Sequence, residues 1–131
     1  MAFNYGAALA AFLAASATPG TSVSPHSTTV QASVPLLAPA TLKAMMATSA
    51  RIVLVDVRQP DEFAAGHIEG AKLMPLDTLA AAYAQLPRDV KLVVYCRSGH
   101  RSAQAVTFLL AHGYANAVSL DGGYLAWTAS R

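Results

Sequence analysis

The sequence predicts one parallel α/β domain, a central, mostly parallel sheet flanked by helices on both faces. Two observations carry this. Arg51-Ile52-Val53-Leu54-Val55-Asp56-Val57-Arg58 and Lys91-Leu92-Val93-Val94-Tyr95-Cys96 are apolar, β-branched runs without polar alternation, as strands covered on both faces require. Around them lie stretches whose apolar residues recur at helical spacing, so strands and helices alternate at the intervals of right-handed crossovers. With 131 residues, 54% of them hydrophobic, the chain can bury one core and is too short for two ordinary domains.

Residues 1–17 stand apart. Residues 7–14 are an apolar run, and Ala15-Ser16-Ala17 has the small-x-small form of a signal-peptidase site. The run is too short to span a bilayer as a helix, so no stable membrane span is expected. It fits a secretory signal peptide that lacks the usual Lys or Arg before its core, and equally an Ala-rich, loosely helical tail. Under the first reading the domain is periplasmic or exported; under the second it is cytoplasmic. Residues 18–33 turn to Ser, Thr, Pro and Gly with no apolar period. Such a composition cannot bury enough surface to offset its ordering entropy, and it reads as a flexible linker.

The folded domain is expected over residues 34–131. Val34-Pro35-Leu36-Leu37 is a short extended piece, and residues 39–46 a short helix with Pro39 in its first turn. The strand at 51–58 carries its polar residues, Asp56 and Arg58, at the C-terminal end, where open α/β sheets place their sites. Residues 59–66 fit a one- to two-turn helix with Asp61 and Glu62 in the first turn and Gly66 as its stop. A turn and a short strand follow over 67–75. Residues 76–86 are a helix candidate with Leu76, Leu79, Ala80 and Tyr83 on one face and Pro87 as terminator. After the strand that ends near Cys96, residues 103–113 have helical spacing and a glycine stop. Residues 117–120 are the last strand, and Asp121-Gly122-Gly123 turns into a closing helix with Tyr124, Leu125 and Trp127.

Nine Lys and Arg against seven Asp and Glu give a net charge of +2. Apart from Arg97 and Arg101 the basic residues are scattered, so no nucleic-acid footprint is present. One cysteine cannot form an intramolecular disulfide, and no Cys/His set has zinc-site spacing. His26 in the linker and His112 at a helix end suggest no metal, and no cofactor is called for.

Cys96 is therefore either a buried small hydrophobe or a reactive thiol. Three features favour reactivity. It precedes a helix, whose N-terminus offers partial positive charge and unpaired N–H groups. Arg97, Arg101 and, when protonated, His100 add cationic groups. Gly99 can take positive φ, which lets successive N–H groups turn inward as an anion nest.

Cys96-Arg97-Ser98-Gly99-His100-Arg101-Ser102 resembles the active-site loop of the rhodanese (sulfurtransferase) family. Asp56-Val57-Arg58, Glu62-Phe63, Gly66-His67-Ile68-Glu69-Gly70-Ala71 and Pro75 are similar to its strand-end and turn motif, and Gly122-Gly123-Tyr124-Leu125-Ala126-Trp127 to its closing segment. The likeness runs from about Val34 to Arg131 in the family's motif order. It departs after Trp127, where many members carry a Gly/Pro-containing tail.

The resemblance implies a single-domain rhodanese in which Cys96 carries sulfane sulfur as a persulfide, cradled by residues 97–102. The donor would be thiosulfate or another small anion and the acceptor cyanide or a thiol, with a sulfur-relay protein as a further partner. Arg97 and Arg101 are the donor-binding candidates, since guanidinium forks suit oxyanions. Asp56, Arg58, Glu62 and His67 read as one structural polar network joining strand end, helix and turn. Trp127 reads as core packing beside the loop, and Gly122 and Gly123 as turn residues. Two alternatives are a cysteine phosphatase or arsenate reductase and a non-catalytic interaction module. Phosphatase loops place one more residue between Cys and Arg than the four here, Arg97 to His100, and interaction modules commonly lack the cysteine.

Overall fold

The apolar runs become five parallel strands in a computed structural model, which describes residues 34–48 and 50–130. The strands are β1 (Leu36–Leu37), β2 (Ile52–Asp56), β3 (Lys72–Leu73), β4 (Lys91–Tyr95) and β5 (Ala117–Leu120), ordered β1-β5-β4-β2-β3. The signal-peptide, tail and linker readings of 1–33 lie outside the described residues. Helices α1 (Pro39–Met46), α2 (Pro60–Ala65), α3 (Leu79–Ala82), α4 (His100–Ala111) and α5 (Gly123–Ala129) connect or follow the strands. Among the described residues no helix is long and apolar enough to cross a membrane.

Side chains alternate across the central strands and divide the core in two. Val55, Leu92, Val94, Cys96 and Ala117 pack against Ala105, Val106 and Leu109 of α4 and Leu79 of α3. On the other face Leu54, Val93, Tyr95, Val118 and Leu120 meet Leu42 of α1 and Trp127 of α5. This is the predicted sheet with both faces covered. The register pairs Asp56 with Tyr95 and Val94 with Ser119, so β2, β4 and β5 finish at one edge. Cys96 leaves the sheet at that edge, next to the strand-order centre, where crevices form in open α/β sheets.

Two local expectations need correction. The helix predicted over 76–86 is broken into a 3-10 turn (Leu76–Thr78), one turn of α3 and a second 3-10 turn (Tyr83–Gln85). Thr78 leaves helical geometry, at φ −110° and ψ 0°, and the Tyr114 hydroxyl lies 2.8 and 2.9 Å from the Tyr83 and Leu86 carbonyls. Ala80 is consequently exposed while Leu79 is buried. The helix expected from residue 103 begins at His100, since its first turn, His100, Arg101 and Ser102, is polar and adds nothing to the apolar period. Gly66 is the predicted stop of α2, in extended backbone. Its lack of a side chain serves a close approach, since a Cβ there would lie 2.9 Å from the Tyr124 hydroxyl.

The two-faced core predicts an asymmetric response along α4. Leu109, fully buried, should cost about 2–5 kcal/mol when cut to Ala, whereas exposed Leu110 should cost within about 0.5 kcal/mol. Urea unfolding of the two variants checks this.

Candidate active site

β4 delivers Cys96 into the sheet edge almost wholly shielded from solvent, at 1% exposure. The chain must then reverse quickly into α4. Gly99 makes the reversal at φ +121°, a conformation L side chains rarely adopt. Its N–H donates to Cys96 Sγ at 3.0 Å. Its carbonyl accepts from the Ala103 N–H at 3.0 Å and from the Ser102 hydroxyl at 3.2 Å. Ser102 Oγ also lies 3.5 Å from Cys96 Sγ.

The outer side of the loop is held by α5. The N–H groups of Tyr124 and Leu125, in the first turn of that helix, donate to the carbonyls of Cys96 (2.8 Å) and Arg97 (3.1 Å). In a trans peptide the carbonyl and the N–H point in opposite directions. Turning these two carbonyls out to α5 therefore turns the Arg97 and Ser98 N–H groups toward the sulfur side. Gly123 permits the contact: a Cβ there would fall 2.5 Å from the Arg97 oxygen and 2.7 Å from the Cys96 oxygen. The sequence marks Gly123 as a turn residue and gives no sign of this second duty, which depends on the loop at Cys96 and Arg97, earlier in the chain. Trp127 anchors the same helix, but its indole packs on the face of the sheet opposite Cys96, with Lys43 Nζ 5.1 Å above the ring.

Electrostatics follow from this geometry. Burial pushes the Cys96 thiol up, and hydrogen bonds from the Ser102 hydroxyl and from the N–H groups of Ser102, Gly99 and Ser98 outweigh it. The thiol lies below its ordinary value.

The two loop arginines differ. Arg101 forms a two-pronged pair with Glu62 of α2, at 2.8 and 3.0 Å. That pair, with the Gln59 N–H at 2.9 Å from the carboxylate, holds Glu62 down at about 2. Arg97 is exposed, and its guanidinium makes no hydrogen bond or ion pair among the described residues. It lines a cavity of about 200 Å³ with Arg58, Glu62, Gly66, Tyr124 and Leu125. A larger concavity of about 390 Å³, beside Met45, Ile52, Glu69 and Lys72, holds none of the loop residues. His100 and Ser98 are exposed at the rim of the loop.

The polar residues expected to form one network fall into three separate groups. Buried Arg58 bonds both Asp56 oxygens, at 2.7 to 3.2 Å, and the Gly66 carbonyl at 2.7 Å. It also lies against the Tyr124 ring at 4.6 Å, which ties the end of β2 to α2 and α5. Glu62 belongs to the loop through Arg101. His67 is exposed, stacked on Phe63 at 3.7 Å with Nδ1 2.9 Å from the Phe63 carbonyl. Sequence reasoning also passed over Ser119, buried on β5 with Oγ 2.8 Å from Ser102 Oγ. A hydroxyl inside the otherwise apolar Ala117-Val118-Ser119-Leu120 was the available signal.

The sequence matches the family model of the rhodanese-like domain over residues 38–130. It is 38% identical over 86 residues to a sulfurtransferase of Allochromatium vinosum, covering 66% of this chain and 80% of that protein. It is 38% identical over 79 residues to the thiosulfate sulfurtransferase GlpE of Stutzerimonas stutzeri, covering 60% and 72%. The crystal structure of a rhodanese-related protein from Thermoplasma volcanium aligns with a TM-score of 0.68 at 32% identity, over 73% of this chain and 92% of that one. A match that runs from α1 to the end of α5 shows that the chain belongs to the rhodanese-like domain family.

Proposed function

We propose that this protein is a sulfurtransferase that moves sulfane sulfur from thiosulfate, or a similar small anionic donor, to cyanide or a thiol through a persulfide on Cys96. The observation that carries the reading is the Gly99 N–H 3.0 Å from Cys96 Sγ, in a loop whose Cys96 and Arg97 carbonyls are turned away to α5. Such a cradle stabilises an anion on sulfur and needs no general base. Sulfurtransferase relatives support the same reaction class.

The Cys96 thiolate attacks the outer sulfur of thiosulfate. A Cys96 S–S bond forms, the donor's S–S bond breaks, and its electron pair leaves with sulfite. The terminal sulfur, now anionic, sits at the inward N–H groups of residues 97–102. Cyanide or a thiolate then attacks that sulfur, leaves as thiocyanate or a new persulfide, and returns the Cys96 thiolate. The acceptor thiol can be that of a relay protein. Two half-reactions through one covalent intermediate give ping-pong kinetics.

Arg97 binds the anionic donor, as the loop guanidinium free to do so. Arg101 acts through its pair with Glu62, holding the first turn of α4 against α2. Asp56, Arg58 and His67 have structural roles. Arg58 keeps Tyr124, and with it the start of α5, in place.

Two outcomes follow. Intact mass should rise by one sulfur after thiosulfate and return after cyanide, and Cys96→Ser should show no gain; an unchanged wild-type mass contradicts the reading. Arg97→Ala should slow persulfide formation from thiosulfate roughly ten- to a hundredfold, the worth of a charge-assisted hydrogen bond. Stopped-flow rates against donor concentration measure it.

A further inference from the structure

Ser119 is a polar side chain where the fold has no structural need of one. It is 1% exposed, and its strand neighbours Val118 and Leu120 point to the opposite face. A buried hydroxyl costs about 1–3 kcal/mol unless it is hydrogen-bonded, and an apolar residue would fill the position without that cost. Its one hydrogen-bond partner among the described residues is Ser102 Oγ, at 2.8 Å. Ser102, also fully buried, reaches Cys96 Sγ at 3.5 Å and the Gly99 carbonyl at 3.2 Å.

Counting protons decides which way this chain of hydroxyls runs. Each serine has one proton to donate. The Ser102 proton has three acceptors in reach: Sγ, the Gly99 oxygen and Ser119 Oγ. The Ser119 proton has one, Ser102 Oγ. Both hydroxyls are satisfied only when Ser119 donates to Ser102, which removes Ser119 from the acceptors that Ser102 can choose. Of the two left, an anionic sulfur is the stronger and takes the proton. A hydroxyl that accepts a hydrogen bond also donates a stronger one.

We propose that Ser119 is a positioning residue for the sulfur chemistry: it donates to Ser102 and thereby aims the Ser102 hydroxyl at the Cys96 sulfur. The assignment rests on Cys96 being the working nucleophile, and it extends the site to the end of β5. It also accounts for the depth of the site. The loop supplies N–H groups to the sulfur, and α4 supplies the Ser102 hydroxyl that Ser119 of β5 orients.

The test uses Ser119→Ala, Ser119→Thr and Ser102→Ala, alone and with Ser119→Ala. The chain has a single cysteine and five tyrosines, so ultraviolet absorbance of the thiolate against pH, read as the difference from a Cys96→Ser blank that carries the same tyrosines, reports Cys96 alone and needs no sulfur donor. The charged and titratable groups around the thiol are Arg97, His100 and Arg101 from the loop and α4, Glu62 from α2, and the Asp56–Arg58 pair of β2. Every variant keeps them all. Ser119→Ala should hold roughly three- to tenfold less thiolate at a fixed pH below the midpoint. Ser119→Thr, which keeps the hydroxyl, should restore it, and the effect should vanish when Ser102 is already Ala. A titration of Ser119→Ala identical to wild type, or a shift of equal size with and without the Ser102 hydroxyl, overturns the proposal. Failure of the sulfurtransferase reading looks different: wild-type mass would stay unchanged in thiosulfate while these titration differences persist.

Discussion

A peptide unit cannot turn its carbonyl and its N–H to the same side, and the site depends on how that constraint is met after β4. The carbonyls of Cys96 and Arg97 need partners. The first turn of α5 needs acceptors for N–H groups that no preceding helical turn can satisfy. Each satisfies the other, at 2.8 and 3.1 Å. The inward side of the loop is left with N–H groups and no carbonyl from these two units, a polarity suited to an anionic sulfur. Everything that fixes α5 therefore fixes the loop. Trp127 and Leu120 bury it against the sheet, Arg58 packs on Tyr124, and Gly123 allows the close approach.

The sheet sets the other half of the geometry. Parallel register brings the ends of β2, β4 and β5 to one edge, so a cysteine after β4 and a serine near the end of β5 share a face without any loop having to carry them there. Alternation sends Tyr95 to one core and Cys96 to the other. A shift of one residue in β4 would exchange them. On the opposite side of the loop, the Glu62–Arg101 pair joins the starts of α2 and α4. With Glu62 held at about 2, the pair keeps its charge throughout the pH range in which a thiolate forms.

How much of this could be read from the chain depended on the range of the cause. β2 and β4 were legible because an unbroken apolar run is a local property, and Cys96 because its neighbours in sequence are its neighbours in space. Gly99 was legible for the same reason, since positive φ is a demand of the turn itself. The roles of Gly123 and Ser119 were not, because each is decided by a residue brought from another element: Arg97 against Gly123 and Ser102 against Ser119. Arg97 and Arg101 look alike in the sequence and part company through Glu62, 39 residues from Arg101. The helix expected at 76–86 failed for a like reason, since the hydroxyl between the Tyr83 and Leu86 carbonyls belongs to Tyr114, beyond the next strand.

The central claim is that α5, by holding two carbonyls, makes the loop a cradle for anionic sulfur. The direct measurement is the pH titration of the Cys96 thiol in Gly123→Ala, whose added Cβ pushes on both carbonyl oxygens. The account predicts a midpoint above that of wild type in a variant that still unfolds cooperatively. A cooperatively folded Gly123→Ala protein with the wild-type midpoint would contradict it.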